Sequence, residues 1–419
     1  MTTIQQRYAI AKEQYAEHGV DSDAALAALE QFAISIHCWQ VDDVGGFEQK
    51  AAATSGGGIQ ATGNYPGKAR TVAEARQDYE KVLSLVPGTH RLNLHASYGE
   101  FKTPVDRDAV GVKHFTGWID WARELGIALD FNSTCFAHEK ADSGFTLSSK
   151  DGGIRDFWIE HVKCCREISH AMGTALGETC IHNVWIPDGA KDITVDRMGH
   201  RRLLTESLDA SFEKEYDSAT MKDAVEAKLF GIGSEHFVVG SHEFYLGYAL
   251  TRQKLLCLDL GHFHPTESVA DKLSAILQYA NELLLHVSRP IRWDSDHVVI
   301  LDDPTRDVTA EIVRCAPDRK FYVALDFFDA SINRIGAYVT GIRATQQGLL
   351  LGLLSPQAAL LEAEESGNNF KRLALLEVTK ALPFGAVWDQ FCAQMNVPAG
   401  AAWIQDITSY EAQVTSKRA

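Results

Sequence analysis

The sequence predicts an α/β protein, a (β/α)8 TIM barrel with a C-terminal helical extension, and three observations support that prediction. Eight short apolar or β-branched runs alternate with longer segments of helical period, the pattern of repeated parallel β–α units. The chain has 419 residues, a length that α/β barrels reach as a single unit. No GxGxxG turn opens a helix after the first run, which disfavours the competing open, doubly wound sheet.

Each strand and helix is predicted from the spacing of the apolar residues within it. The runs predicted as strands are 35–40, 91–96, 127–132, 182–187, 223–230, 254–261, 283–288 and 321–327. The amphipathic segments predicted as helices are 73–86, 113–126, 154–173, 201–216, 268–284 and 309–317. Helical sequence continues through 332–382, more than one closing helix needs. We therefore expect residues 1–345 to form the barrel together with an N-terminal helix. Residues 346–419 are expected to form a helical extension used for oligomerisation.

A glycine-rich segment, 39–69, follows the first predicted strand and has the spacing of neither a dinucleotide turn nor a P-loop. Structureless segments of this length in compact domains usually have a function. We interpret it as a long loop at the carboxyl edge of the sheet that acts as an active-site lid. The alternative is a plain surface excursion.

Composition excludes several classes of partner. The 40 Lys and Arg residues against 56 Asp and Glu residues give a formal charge of −16, which argues against nucleic-acid binding and adhesion to anionic lipid. The N-terminus lacks an apolar signal region, and the most apolar stretch, 349–363, is too short and interrupted to span a membrane. Eight scattered cysteines without a CxxC pair indicate free thiols. A cytoplasmic protein is expected.

Acidic and histidine residues fall at the ends of the last four predicted strands. They are Glu226 with Lys228, Asp259 with His262, His286 followed by Asp294 and Asp296, and Asp326 followed by Asp329. The carboxyl ends of barrel strands converge on one mouth, where carboxylates so close together repel one another unless a cation neutralises them. Oxygen and imidazole ligands without thiolate suit Mn²⁺, Mg²⁺, Co²⁺ or Zn²⁺.

Each of these residues alone has an ordinary structural explanation: a buried core histidine, a turn, a surface ion pair or a helix cap. Their recurrence at the same end of four successive strands favours metal binding. Two subsites can be drawn. One ion would take the four strand-end residues Glu226, Asp259, His286 and Asp326. A second ion would take the loop residues His262, Asp294 and Asp296, whose three ligands leave positions open for substrate, as in a catalytic site.

These motifs resemble the L-rhamnose isomerase family. The resemblance is carried by ExK at 226–228, DLGH at 259–262, WDSDH at 293–297 and LDFFDASINR at 325–334. Longer strings such as GGIQATGNYPGKAR at 57–70 and KLFGIGSE at 228–235 extend it over essentially the whole chain. A broader likeness is to metal-dependent barrels of the xylose isomerase type, which also have an ExK and a DxD.

The resemblance implies reversible aldose–ketose isomerisation of L-rhamnose to L-rhamnulose, the first step of L-rhamnose catabolism, by a cytoplasmic homotetramer. It implies Mn²⁺ as the catalytic ion at His262, Asp294 and Asp296. A more structural ion would sit at Glu226, Asp259, His286 and Asp326. Co²⁺, Zn²⁺ or Mg²⁺ could replace Mn²⁺ in either place.

Three residues are predicted to be catalytic. Asp326 or a metal-bound water would take a proton, Lys228 would donate to charge developing on the sugar O1, and His95 would assist ring opening or hold a sugar oxygen. A hydride shift from C2 to C1 and an enediol route both remain open.

Four more side chains are predicted to bind substrate: Trp185, Asn183, Phe131 and Asp329. Aromatic walls at a barrel mouth exclude water and stack on a sugar, although large side chains also fill barrel cores. Three other functions remain as alternatives. They are isomerisation or epimerisation of a different sugar, metal-dependent hydrolysis as in barrel endonucleases, and non-catalytic sugar binding.

Overall fold

The computed structural model describes residues 2–48, 63–231, 233–291 and 294–418, which form a closed barrel of eight parallel strands. The barrel strands are β1 (Ile34–His37), β2 (His90–His95), β3 (Ala128–Thr134), β4 (Cys180–Trp185), β5 (Met221–Glu226), β6 (Leu255–Asp259), β7 (Glu282–Val287) and β8 (Lys320–Leu325). Each strand pairs with its neighbours in chain order, and β8 closes on β1. The predicted fold class is confirmed.

Helices surround the barrel and continue beyond it. Those before the end of β8 are α1 (Ile4–Ala16), α2 (Ser22–Glu30), α3 (Val72–Leu83), α4 (Thr116–Leu125), α5 (Gly152–Leu176), α6 (Arg197–Ser211), α7 (His242–Arg252), α8 (Val269–Ile276) and α9 (Asp303–Cys315). Those after it are α10 (Arg334–Leu353), α11 (Gln357–Glu365), α12 (Asn369–Thr379), α13 (Phe384–Gln394) and α14 (Ala402–Gln413). Two short antiparallel ribbons pair Gly189–Ala190 with Phe237–Val238 and Arg289–Ile291 with Asp294–His297.

Several predicted boundaries differ from the observed ones. Strand β5 ends at Glu226, so Lys228 lies two residues beyond the strand instead of on it. The sequence reading missed α7, which buries only Tyr245, Tyr248 and Ala249 and therefore shows a weak apolar stripe. The helix predicted to run to residue 284 ends at Ile276, because β7 has already begun at Glu282.

The predicted extension begins inside a helix. Helix α10 continues across the proposed division at 345/346, and most of its side chains are buried. The separation into a barrel and an oligomerisation extension stays a prediction. Within the described ranges, no helix combines the length and the apolar character needed to cross a bilayer.

The interior of the barrel is apolar at its centre and charged at its amino-terminal floor. A small cluster fills the centre: Ile181, Ala224, Leu255, Cys257, Leu284 and Ala324. Below it, Arg91 pairs with Asp130 at 2.8 Å, and Lys222 pairs with Glu282 at 2.5 Å. Floor charges are therefore matched, as expected at the end of a barrel that contributes stability.

Packing between α10 and the end of β8 depends on a glycine. A Cβ at Gly341 would overlap the ring of Phe327, which is fully buried. We expect Gly341→Ala to lower the free energy of unfolding by about 1–3 kcal/mol, because overpacking displaces buried groups. The matched change Gly247→Ala, on α7 with open space around it, should instead raise that free energy by up to about 1 kcal/mol. Denaturant unfolding of both variants checks this, and equal effects would contradict the packing described.

Candidate active site

Register brings the strand-end residues of β5 to β8 together. His286 on β7 lies opposite Asp259 on β6 and opposite Ala324 on β8. Glu226 on β5 lies opposite Cys257, which precedes Asp259 by two residues on β6. Directly paired residues of parallel strands point to the same face of the sheet, so these side chains share the barrel interior.

Three of the predicted ligands, all carboxylates, meet around the imidazole of the fourth, His286. The His286 Nδ1 atom lies 3.3 Å from Glu226 Oε1, 3.2 Å from Asp326 Oδ2 and 3.8 Å from Asp259 Oδ2. One ligand atom from each of the four side chains lies within 4.8 Å of all the others. Glu226, Asp259 and His286 are at most 3% exposed, whereas the Asp326 side chain is 22% exposed. The four-residue set predicted for one ion is therefore assembled in the structure.

The second predicted set is only partly described. His262 Nδ1 lies 3.3 Å from Glu226 Oε1, so His262 borders the four-residue cluster. Asp294 and Asp296 lie in a ribbon strand, where a loop was predicted, and their side chains fall outside the described part of the chain. The middle of the predicted lid, 49–62, also lies outside the described residues. The three-residue set and the lid stay predictions.

Within the described part of the chain, the cluster contains three carboxylates and only two neighbouring imidazoles that could balance their charge. Burial raises the pKa of Asp259 to about 7; His262 opposes this shift, and the nearby Asp326 and Glu226 add to it. Burial would lower the pKa of His262, but Asp259 and Glu226 raise it to about 10. Burial would raise the pKa of Glu226, but His286 and His262 hold it below its ordinary value. Without a metal, a proton on His262 supplies positive charge here.

Unsatisfied atoms show that a cation fits this place. Among the described residues, four buried atoms have no hydrogen-bond partner: Glu226 Oε1, Asp259 Oδ2, His262 Nδ1 and His286 Nε2. Buried polar atoms without partners are costly, and a divalent cation satisfies carboxylates and imidazoles at once. Cys257 is also within reach of Glu226 and His286, but burial raises the pKa of its thiol, which stays a poor ligand.

His95 faces the mouth from β2 as predicted. Its Nδ1 atom lies 3.1 Å from Thr134 Oγ1, and its Nε2 atom lies 3.5 Å from Asn132 Nδ2. Burial, reinforced by the charge of Arg107, lowers the pKa of His95 to about 3, so the ring is neutral. Sequence reasoning missed Asn132, although its position opposite His95 in the β2–β3 register identifies it.

The aromatic wall around His95 differs from the predicted one. The rings of Trp39 and Phe136 contact His95 at centroid distances of 4.7 Å and 5.6 Å, and Trp185 meets Phe136 at 5.8 Å. Phe131 was predicted to line the mouth, and this was wrong. It occupies the opposite face of β3, where it is fully buried and packs edge-on against Phe115. One residue of strand register separates the two faces.

Three other predicted residues have structural partners. The Asp329 carboxylate accepts hydrogen bonds from Ser331 N at 2.8 Å and Ser331 Oγ at 2.5 Å. Its predicted contact with substrate stays a prediction. Asn183 donates to Glu226 Oε2 at 2.5 Å and so orients a cluster carboxylate.

Lys228 is buried beside Trp185, with Nζ 5.7 Å from the indole ring. The ammonium donates to the backbone oxygen of Pro187 at 3.1 Å. Burial lowers the pKa of Lys228 to about 8, and the nearby Asp188 and Glu235 oppose this shift.

The flanks of the 39–69 segment are fixed in place. Asp42 accepts from Tyr98 Oη at 2.5 Å and from Gly46 N at 2.6 Å. Asp43 forms a bidentate ion pair with Arg334, which also donates to the carbonyl of Tyr65 on the other flank. The described parts of this segment are therefore packed against the barrel and are not a loose surface excursion.

The fold and the cluster together define an α/β barrel with a candidate divalent-metal centre at the carboxyl ends of its strands. The family model for L-rhamnose isomerase (RhaA) matches residues 2–418. An L-rhamnose isomerase of Bacteroides thetaiotaomicron is 57% identical over 416 residues, covering 99% of both chains. One from Rhodopirellula baltica is 52% identical over 415 residues, covering 99% of this chain and 97% of that protein. The chain belongs to the L-rhamnose isomerase family.

Metal binding at the cluster should stabilise the fold. Adding Mn²⁺ to chelator-treated protein should raise the free energy of unfolding by about 2.7 kcal/mol at a free concentration one hundred times Kd. His286→Ala should lose most of this gain, because it removes the central ligand. Glu282→Gln, at the floor end of the same strand, should keep it. Thermal unfolding with and without Mn²⁺ is the measurement, and a His286→Ala protein with the full gain would refute the assignment.

Proposed function

We propose that the protein catalyses the reversible isomerisation of L-rhamnose to L-rhamnulose, the first step of L-rhamnose catabolism. Family membership over residues 2–418 supports the reaction and its substrate. The single structural observation that carries the proposal is the buried cluster of Glu226, Asp259, His286 and Asp326, which has the donor set of a divalent-cation site. Such a site suits a reaction in which charge moves between two neighbouring sugar oxygens.

We propose Mn²⁺ as the catalytic ion, held by His262, Asp294 and Asp296. A second ion would be held by Glu226, Asp259, His286 and Asp326, and Co²⁺, Zn²⁺ or Mg²⁺ could serve in either set. When bound, the ion supplies Lewis-acid polarisation of a carbonyl and a hydroxyl oxygen. The donor set of hard oxygens and neutral imidazoles supports these ions over thiophilic ones.

The chain's own groups account for the proton movements. Isomerisation must move one proton from O2 of the open-chain sugar to O1. Asp326 is the most exposed member of the cluster, which supports its taking the proton from O2 and returning it to O1. Lys228 supports the charge that develops on O1, as an oxyanion donor does. Its ammonium would exchange the backbone oxygen of Pro187 for the sugar oxygen.

Neutral His95 is suited to hold a sugar hydroxyl or the ring oxygen by a hydrogen bond, because a ring with so low a pKa carries no spare proton at neutral pH. Trp39, Phe136 and Trp185 would bind the apolar face of the sugar and exclude water. Asn183 keeps Glu226 oriented. Trp185 and Asn183 remain proposed to lie near the substrate.

Isomerisation of a different aldose is the nearest competing function. A pocket gains only about 1–3 kcal/mol from one small apolar group, so related aldoses are expected to react more slowly instead of being excluded. The formal net charge of −16 disfavours nuclease activity, because DNA is itself strongly negative.

An isomerase assay in heavy water tests both the activity and the route. The protein should convert L-rhamnose to its ketose, lose that activity in EDTA and regain it with Mn²⁺. A hydride shift predicts near-zero deuterium at C1, because the hydrogen never exchanges with solvent. Substantial deuterium at C1 would support an enediol, and inactivity on a whole panel of aldoses with Mn²⁺ would overturn the proposed function.

We also propose that the protein is a cytoplasmic homotetramer. Eight free cysteines support a reducing compartment. Helix α12 has no buried residue, and its Phe370 and Leu373 side chains are 82% and 61% exposed. Large apolar side chains exposed together mark association surfaces, and family membership makes a second copy of this chain the expected occupant.

The mass in solution tests the assembly. Sedimentation equilibrium should give four times the 46.2 kDa of one chain. The double change Phe370→Asp and Leu373→Asp should lower that mass, because it charges the proposed contact. Tyr279→Asp, equally exposed on the barrel floor, is the matched control and should not. A wild-type monomer would refute the assembly, and an unchanged mass in the double variant would refute this surface.

A further inference from the structure

Strand β8 pairs over different lengths with its two neighbours in the barrel. On one side, β8 pairs with β7 along its whole length, from Lys320 to Leu325, and Asp326 N still donates to Val287 O at 3.1 Å. On the other side, its pairing with β1 extends only from Val323 to Ala324 within the described residues. Asp326 therefore lies two residues past the last pair with β1.

A side chain from the segment after β1 holds the turn five residues beyond the last pair of this ladder. The carboxamide of Gln40 donates through Nε2 to the Asp329 oxygen at 2.9 Å and accepts through Oε1 from the Asp329 nitrogen at 2.8 Å. Both bonds go to main-chain atoms, so Gln40 reproduces the paired donor and acceptor of a strand neighbour. At 1% exposure, the two bonds have no water competing for them.

The turn that Gln40 holds is the one that carries Asp326. Of the four cluster residues, Glu226, Asp259 and His286 sit within strands, and Asp326 alone follows the end of its strand. The same turn is held once more by Tyr65 N, which donates to the Ala330 oxygen at 2.7 Å. A metal ligand on a turn depends on such contacts for its position, whereas a ligand within a strand does not.

We propose that Gln40 is a positioning residue for the metal centre, which fixes Asp326 by tying the turn that carries it to the segment after β1. The inference rests on the proposed metal site at Glu226, Asp259, His286 and Asp326. It assigns to Gln40 no contact with substrate. Its effect is on how tightly the ion is held and, through that, on turnover.

Gln40→Met tests it, because methionine has a similar volume and no amide to donate or accept. Apo-protein is titrated with Mn²⁺, and free Mn²⁺ is followed by electron paramagnetic resonance. Asp326→Asn serves as the reference that identifies the ion concerned. We expect Gln40→Met to weaken the binding of that same ion by about 10–100-fold, the usual effect of losing a group that orients a ligand.

The matched control is Gln346→Met. Gln346 is equally buried, and its amide donates to the Pro87 oxygen, in the segment before β2 at the floor of the barrel. Both variants lose buried amide bonds and some stability, but only Gln40→Met should change Mn²⁺ affinity. The kcat of Gln40→Met should be low at low Mn²⁺ and should rise toward the wild-type value at saturating Mn²⁺. A general loss of folding would not produce this dependence on Mn²⁺.

The outcomes separate this inference from the function on which it rests. If the wild-type chain binds no Mn²⁺, the proposed function fails, and the role of Gln40 fails with it. If the wild type binds and Asp326→Asn weakens binding, but Gln40→Met binds within about threefold of wild type, well short of the expected loss, the role of Gln40 alone is refuted. Should Gln40→Met not fold, Gln40→Asn, which keeps an amide too short to reach both atoms, is held to the same criterion.

Discussion

Three carboxylates converge on one imidazole inside a barrel mouth that shields them from water, and the rest of the structure is arranged around that charge. Glu226 and Asp259 are almost fully buried beside His286, and Asp326 closes the group from the side that faces solvent. Like charges this close cannot all remain ionised without a counter-charge. A proton on His262 supplies part of that counter-charge, and a bound divalent cation would displace it.

The two ends of the barrel treat charge in opposite ways. At the floor, Arg91 with Asp130 and Lys222 with Glu282 form matched ion pairs. At the mouth, Lys228 donates to a backbone oxygen, and the Glu226 carboxylate lies beside His286 and His262 instead. The same interior therefore combines an end with matched ion pairs and an acidic end that has the donor set of a cation site. This division suits a fold whose strand termini carry the chemistry.

Much of this arrangement could be predicted from sequence. The alternation of eight apolar runs with helical segments was sufficient for the barrel, and acids recurring at strand ends were sufficient for the cluster of Glu226, Asp259, His286 and Asp326. Phe131 was misplaced because apolar period does not say which face of a strand is the interior. Its neighbour Asn132 lies on the opposite face, toward the mouth, and was missed for the same reason.

Other features depend on contacts that no local pattern encodes. The role inferred for Gln40 follows from where β1 stops pairing with β8, and pairing length is a property of the closed barrel. Phe136 reaches His95 from the turn after β3, a position that strand periodicity does not cover. Asp329, three residues after Asp326, is tied to its own turn through Ser331, a local bond that the spacing of the acids does not show.

The central claim is that the cluster around His286 holds a divalent cation, and anomalous X-ray diffraction from crystals grown with Mn²⁺ tests it most directly. The account predicts an anomalous peak within bonding distance of Glu226, Asp259, His286 and Asp326, with the His286 ring nitrogen and carboxylate oxygens as ligands. A mouth without a peak at those side chains, at an Mn²⁺ concentration that supports full activity, would contradict it.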